Sequence, residues 1–178
     1  FYSGYQPGCL QYGHSGAVDL RTALEHSCNI FFYETGRQLG IERLAGYAKL
    51  YGFGQNTGIE TGDMAGYFAT PESFQERRLE WQAGLVVQAA IGQSETYATP
   101  LQLAMQANTI ANRGTRYKPY VVDGVYTYNM EQLVIKTQPT VAATVPDATG
   151  VTFDNIIAGM ENAANFAPYS YPAVKDYY

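Results

Sequence analysis

Cysteine is scarce in this sequence of 178 residues, where Cys9 and Cys28 are the two that occur. A disulfide-dense mini-domain is therefore excluded. With only His14 and His26 beside them, and without a Cys-x-x-Cys step, they also make a poor metal set. Basic charge is scarce too: eleven Lys and Arg against sixteen Asp and Glu leave a net charge of -5 and a pI near 4.9. There is no basic stripe to neutralise phosphates, so no nucleic acid is expected as a partner. The dibasic step Arg77-Arg78 reads as solvated loop charge. No apolar run approaches the ~18 residues that would span a bilayer. Neither a secretory leader nor an initiator Met stands at Phe1, which predicts a processed product or an excised piece of something longer.

Charged residues are only 15% of the chain, below the roughly 25% of typical soluble domains. With 46% hydrophobic residues, this excludes intrinsic disorder and predicts a sizeable core. Sixteen tyrosines place amphipathic rings at the surface or along a cleft.

Along the chain, residues 1–16 are rich in Gly, Tyr and Ser and read as an irregular opening segment. Asp19 is a good N-cap for a short helix carrying Leu20, Ala23 and Leu24, which breaks near His26-Ser27. A second helix is expected from Cys28 to Leu39, stopped by Gly40, and a third over Ile41–Tyr51, stopped by Gly52. From Phe53 to about Leu79 the glycines and Pro71 predict a long loop. Leu85–Ile91 suits either a buried helix or an internal strand. Thr99 and Pro100 open the clearest helix, whose apolar stripe is Leu103, Ala104, Ala107, Ile110 and Ala111 before Gly114 closes it. Strands follow over 117–136, with Tyr120-Val121-Val122 and Leu133-Val134-Ile135 as their cores and Val125 to Tyr128 beside them. Residues 137–149 read as extended or looped, and Thr152–Ala164 as a last helix. The tail, 165–178, has no regular pattern. The class is α+β, rich in helix with a small sheet.

No metal signature, phosphate loop or dinucleotide fingerprint is present. The arrangement of chemical interest is Ser27-Cys28-Asn29 at the break between two helices. A hydroxyl and a carboxamide two residues apart can face one cleft. There the first would relay a proton while the second holds a ligand peptide group through one donor and one acceptor. Ser27 also suits an ordinary N-cap, and both readings stay open on spacing alone.

The surroundings are more specific. The run Val18-Asp19-Leu20-Arg21-Thr22-Ala23-Leu24-Glu25-His26-Ser27-Cys28-Asn29-Ile30-Phe31-Phe32-Tyr33 resembles the segment around the second active-site motif of penicillin-binding proteins. Thr57-Gly58-Ile59-Glu60, Trp81-Gln82-Ala83-Gly84, Ile91-Gly92-Gln93, Thr99-Pro100-Leu101-Gln102-Leu103 and Ile110-Ala111-Asn112-Arg113-Gly114 recur in that family in this order, as does Gly159-Met160. The resemblance spans about residues 9 to 164 and is nearest to the transpeptidase domain of a class B enzyme from a Gram-positive bacterium.

That resemblance implies a partial transpeptidase domain over 1–178, mainly the helical lobe of the penicillin-binding, β-lactamase-like fold with a few strands. The family's site uses Ser-x-x-Lys, Ser-x-Asn and Lys-Thr-Gly. Only the second is here, so Ser27 would be the proton relay and Asn29 the substrate-amide contact. Trp81, Gly92 and Gln93 are weaker substrate-side candidates, and Trp81 suits packing better. No lysine follows a serine at the Ser-x-x-Lys spacing, and Lys136-Thr137-Gln138 is a decoy, because the family places its third motif after the helix that contains Met160. Ser94 stands where the family usually has the last glycine of Gly-Gln-Gly. The implied parent is a peptidoglycan D,D-transpeptidase at the extracytoplasmic face of the bacterial membrane, acting on stem peptides and trapped by β-lactams, with no cofactor or metal. Outside the cytoplasm a Cys9–Cys28 disulfide could survive. The rival reading is a non-catalytic extracellular module that binds peptide or glycan.

Overall fold

A computed structural model describes Gly8, Cys9 and residues 16–165. The irregular opening and tail expected over 1–16 and 165–178 lie outside the described residues, apart from Gly8, Cys9, Gly16 and Asn165. Among the described residues, seven helices and four short strands follow in the order α1 Leu20–Glu25, α2 Asn29–Leu39, α3 Ile41–Tyr51, α4 Pro71–Glu76, α5 Leu85–Ala90, α6 Pro100–Ala111, β1 Thr115–Tyr117, β2 Gly124–Tyr126, β3 Leu133–Lys136, β4 Val141–Thr144 and α7 Thr152–Asn165. The chain is helix-rich α+β, as its composition and periodicity suggest.

Local chemistry explains most helix ends. Asp19 accepts from the Thr22 amide at 2.8 Å and so starts α1. Thr99 and Gln102 form a reciprocal capping box at α6, with Pro100 at its first position. The same device, Thr70 with Ser73 behind Pro71, starts α4 inside the stretch expected to be loop. Leu85–Ala90 resolves as helix, with Val86, Val87 and Ala89 buried.

Two glycines set how closely helices approach. A Cβ on Gly36 would lie 2.4 Å from the Ala90 Cβ, so α2 and α5 meet nearly backbone to backbone. A Cβ on Gly159 would lie 2.9 Å from the Leu24 Cβ, which seats α1 on α7. Arg21 to Asn155 (3.1 Å) and Asn162 to Glu25 (3.0 Å) flank that second contact. Between the helices, Ala69, Phe74 and Ala89 form a buried cluster with Ile41, Leu44, Trp81 and Leu85 around it. Arg77 is more than solvated charge: it pairs with Glu95 at 2.9 Å and lies over the rings of Tyr67 and Tyr97.

The buried face of α6 corrects the expected stripe. Gln102, Met105 and Thr109 face inward, while Leu103 is 52% exposed and Ala104 and Ala107 are also exposed. The Gln102 carboxamide donates to the carbonyls of Gly52 (3.1 Å), Gln55 (2.9 Å) and Ala65 (2.8 Å), and its oxygen accepts from the Thr99 amide at 2.9 Å. Those bonds let a polar side chain outside the expected apolar stripe sit at 0% exposure.

The strands form two separate antiparallel pairs, β1 with β4 and β2 with β3. Tyr120-Val121-Val122 lies outside both, against expectation. Pro119 just before it brings no amide hydrogen to a ladder, and the Val121 amide donates to Glu60 at 3.1 Å instead. The stretch 137–149 contributes β4, whose Ala143 is opposite Arg116. Arg116 is buried, its Nε on the Leu50 carbonyl at 2.8 Å, which ties this sheet to the end of α3.

Candidate active-site groove

The link between α1 and α2 is a helix stop. The Ser27 amide donates to the Leu24 carbonyl at 3.3 Å and the Cys28 amide to the Ala23 carbonyl at 2.8 Å. This bond pair places a left-handed residue between the last helical residue and the closing amide, usually glycine. Here it is Ser27, with φ of +50°. The N-cap of α2 is Cys28, which makes no side-chain capping bond, so Ser27 does not cap the following helix.

Ser27, Cys28 and Asn29 do not share one environment. Cys28 is 2% exposed and faces the interior. Ser27 is exposed and Asn29 half-buried, and both line one groove of about 420 Å³ with Phe32, Ile91, Gly92 and Gln106. Among the described residues, neither the Ser27 hydroxyl nor the Asn29 carboxamide has a hydrogen-bond partner. Both therefore keep donor and acceptor capacity for a ligand.

The end of α5 supplies another part of the lining and stops in the same way. Gly92 donates to Ala89 and Gln93 to Gln88, both at 3.0 Å, with Gly92 at φ +73°. Nothing lies within 4 Å of where a Gly92 Cβ would be, so that side stays open. Gln93 is exposed next to the groove without lining it, and Ser94 behind it has φ +69° and a buried hydroxyl with no partner among the described residues. Trp81 stands elsewhere, its ring edge-on to Phe74 at 5.1 Å in the buried cluster. Left-handed non-glycine stops also end α4 at Arg78 and α6 at Arg113, so the backbone alone does not single out Ser27. Its shared groove with Asn29 does.

Among the described residues, no ionisable side chain lines this groove. A serine here has no base of its own beside it, so it suits passing a proton on rather than attacking as an activated nucleophile. Burial pushes the thiol of Cys28, on the other side of the chain, above its ordinary value. No group of metal-ligating side chains occurs among the described residues. Lys136 and Thr137 are committed to the hairpin: the ammonium pairs with Asp123 and the hydroxyl donates to the Val122 carbonyl. Phe32, Gln106 and the Gly36 contact that brings α5 against α2 escape sequence reading. The one signal for them is a glycine inside a helix, which often marks close packing.

The family model described as the penicillin binding protein transpeptidase domain matches residues 2–167, and the chain belongs to that family. The peptidoglycan D,D-transpeptidase MrdA of Acinetobacter baumannii is 33% identical over 129 residues, covering 71% of this chain and 19% of the relative. Penicillin-binding protein 2B from Streptococcus pneumoniae superposes with a TM-score of 0.76 at 25% identity, over 95% of this chain and 30% of that one. An imipenem acyl-enzyme complex of penicillin-binding protein A from Mycobacterium tuberculosis shares the fold, with a TM-score of 0.71 at 23% identity over 85% of this chain and 33% of that one. The chain thus spans about a fifth of the length of the curated MrdA relative it matches.

Proposed function

We propose that this chain is the middle stretch of a peptidoglycan D,D-transpeptidase domain, in which Ser27 relays a proton and Asn29 holds the amide of the acyl donor. The single observation that carries the proposal is the shared groove. Two polar side chains with no hydrogen-bond partner among the described residues line it from either side of a buried cysteine, at the spacing of the family's Ser-x-Asn motif. Family membership favours this reading over a non-catalytic peptide- or glycan-binding module.

The reaction is acyl transfer. A serine outside these 178 residues attacks the D-Ala-D-Ala peptide bond of a stem peptide, and an amine of a neighbouring strand resolves the acyl-enzyme. Asn29 orients the donor through its paired donor and acceptor, and Ser27 passes the proton between the leaving amine and the base of the first motif. β-Lactams, as mimics of the dipeptide, occupy the same groove and acylate the same outside serine. Gly92 leaves room for the ligand. The parent works at the extracytoplasmic face of the cell membrane. Among the described residues, no helix is long and apolar enough to cross a membrane.

The direct test incubates the 178-residue chain with a fluorescent penicillin beside the intact parent. The parent should label and the chain should not. A covalent, drug-dependent band on the chain would contradict a nucleophile lying outside it.

A further inference from the structure

A second cavity, of about 810 Å³, lies on another face of α2, lined by Cys9 together with Val18, Cys28, Phe31, Thr35 and Leu39. Both cysteines line this one cavity, and after burial the Cys9 side chain is among the groups acting on the Cys28 thiol. Cys9 is half-buried and Cys28 fully buried, and both are thiols in this structure. No other cysteine occurs in the chain, so neither has a competing partner of its kind. We infer that Cys9 and Cys28 form a redox pair that closes to an intramolecular disulfide, fastening the N-terminal segment to the cap of α2.

Exposure and acidity fix the order of events. Burial holds the Cys28 thiol protonated longer than an ordinary cysteine, so the outer sulfur reacts first. The Cys9 thiolate attacks an external disulfide, either a small-molecule disulfide or a protein disulfide oxidant. One sulfur of that donor leaves as a thiolate and Cys9 carries a mixed disulfide. Cys28 then loses its proton and attacks the Cys9 sulfur, expelling the second half of the donor. Two thiols are oxidised to one disulfide, the donor is reduced to two thiols, and the two protons given up end on the two leaving sulfurs.

The location gives the bond a consequence. Cys28 sits between Ser27 and Asn29, and its own amide closes the α1 stop on the Ala23 carbonyl at 2.8 Å. A disulfide there restrains the backbone from which both groove side chains project. The pairing itself does not depend on the transpeptidase reading; only this consequence does.

The test equilibrates the purified full chain with oxidised and reduced glutathione at a series of ratios, in buffer and in denaturant. Acid quenching, maleimide labelling and mass spectrometry then count the thiols. The expected result is a species lighter by two hydrogens that yields a Cys9–Cys28 linked peptide on digestion. It should form in the folded chain at a ratio roughly a hundredfold more reducing than in the unfolded chain, because the fold and the bond stabilise each other reciprocally. Two maleimides added at every ratio would overturn the inference. So would glutathione retained on Cys9 without resolution, or equal readiness to oxidise in the folded and the unfolded chain. Penicillin labelling of the parent is not read in this experiment, so a failed disulfide and a failed transpeptidase reading are told apart.

Discussion

Ser27 and Gly92 hold the same place at the ends of two helices, the left-handed residue that closes the stop, and both line one groove. At Gly92 the backbone asks for glycine and has it. At Ser27 the same conformation carries a hydroxyl, at a cost of about 1 kcal/mol relative to glycine. The two demands separate by substitution. Ser27→Gly should leave the melting temperature of the chain unchanged or raise it, whereas Ser27→Ala keeps the strained backbone and should gain nothing. A melting temperature below that of the Ser27 chain in both variants would show that the hydroxyl supports the fold, and a lower value for Ser27→Gly than for Ser27→Ala would contradict the backbone strain. Calorimetry on the three chains decides it.

Ser94 pays the same conformational penalty with no compensating bond. Its φ is +69° and its buried hydroxyl has no partner among the described residues. Ser94→Gly restores the glycine that the family pattern has at this place. Relief of strain and of the unpaired hydroxyl outweighs the extra freedom glycine gives the unfolded chain. The expected gain is about 1 kcal/mol, or roughly 2–4 °C in melting temperature for a chain of this size. A destabilised variant would mean that the hydroxyl has a use the conformation hides.

Gln102 should be among the costliest positions in the chain. Gln102→Leu is close in size but leaves three backbone carbonyls, the buried one of Gly52 and the part-buried ones of Gln55 and Ala65, without their common donor. It also removes half of the capping box that starts α6. A loss of about 3 kcal/mol is expected, read by chemical denaturation. A loss under about 1 kcal/mol would show that water or backbone rearrangement replaces the side chain readily.

Asp147 gives the fold an acid limit. Its carboxylate accepts from Thr152 at 2.9 Å, at the first turn of α7, and from the amides of Thr149 and Gly150 at 3.1 Å. Hydrogen bonding from the Thr152 side chain first, then from the Thr149 hydroxyl and the Thr149 and Thr152 amides, holds its pKa at about 2 against an ordinary 3.8. The folded pKa lies below the unfolded one, so the associated stability is fully present above 3.8 and is lost as pH falls towards about 2. Asp147→Asn should lower stability at neutral pH and flatten its fall across that window. Glu34, held at about 2 mainly by the Arg37 hydrogen bond, leaves a residual slope. An Asp147→Asn chain whose melting temperature falls as steeply as the parent's between those two pH values would contradict this assignment.

Much of the helical frame is legible because it depends on local chemistry. Asp19, Gly40, Gly52 and the Thr99-Pro100 pair sit at helix ends where capping rules place them. Thr70-Pro71-Glu72-Ser73 carries the same signal as Thr99-Pro100-Leu101-Gln102, but the glycines around it make the stretch read as loop. What local rules miss is settled from a distance. The inward face of α6 depends on carbonyls far back in the chain, and Tyr120–Val122 is held off the sheets by Pro119 and Glu60. Ser27 and Asn29 were recognisable through the order of motifs around them, since a Ser-x-Asn step by itself is commonplace. Phe32 and Gln106 enter the groove only through packing that no pattern in the sequence announces.

The most direct measurement is the rate at which the intact parent is acylated by a labelled penicillin, compared with its Asn29→Ala variant at matched stability. Removing a ligand contact without opening a core cavity should slow acylation by roughly tenfold or more while the melting temperature stays close to that of the parent. Acylation at the parent's rate would remove Asn29 from the site and, with it, the groove as the place where substrate is held.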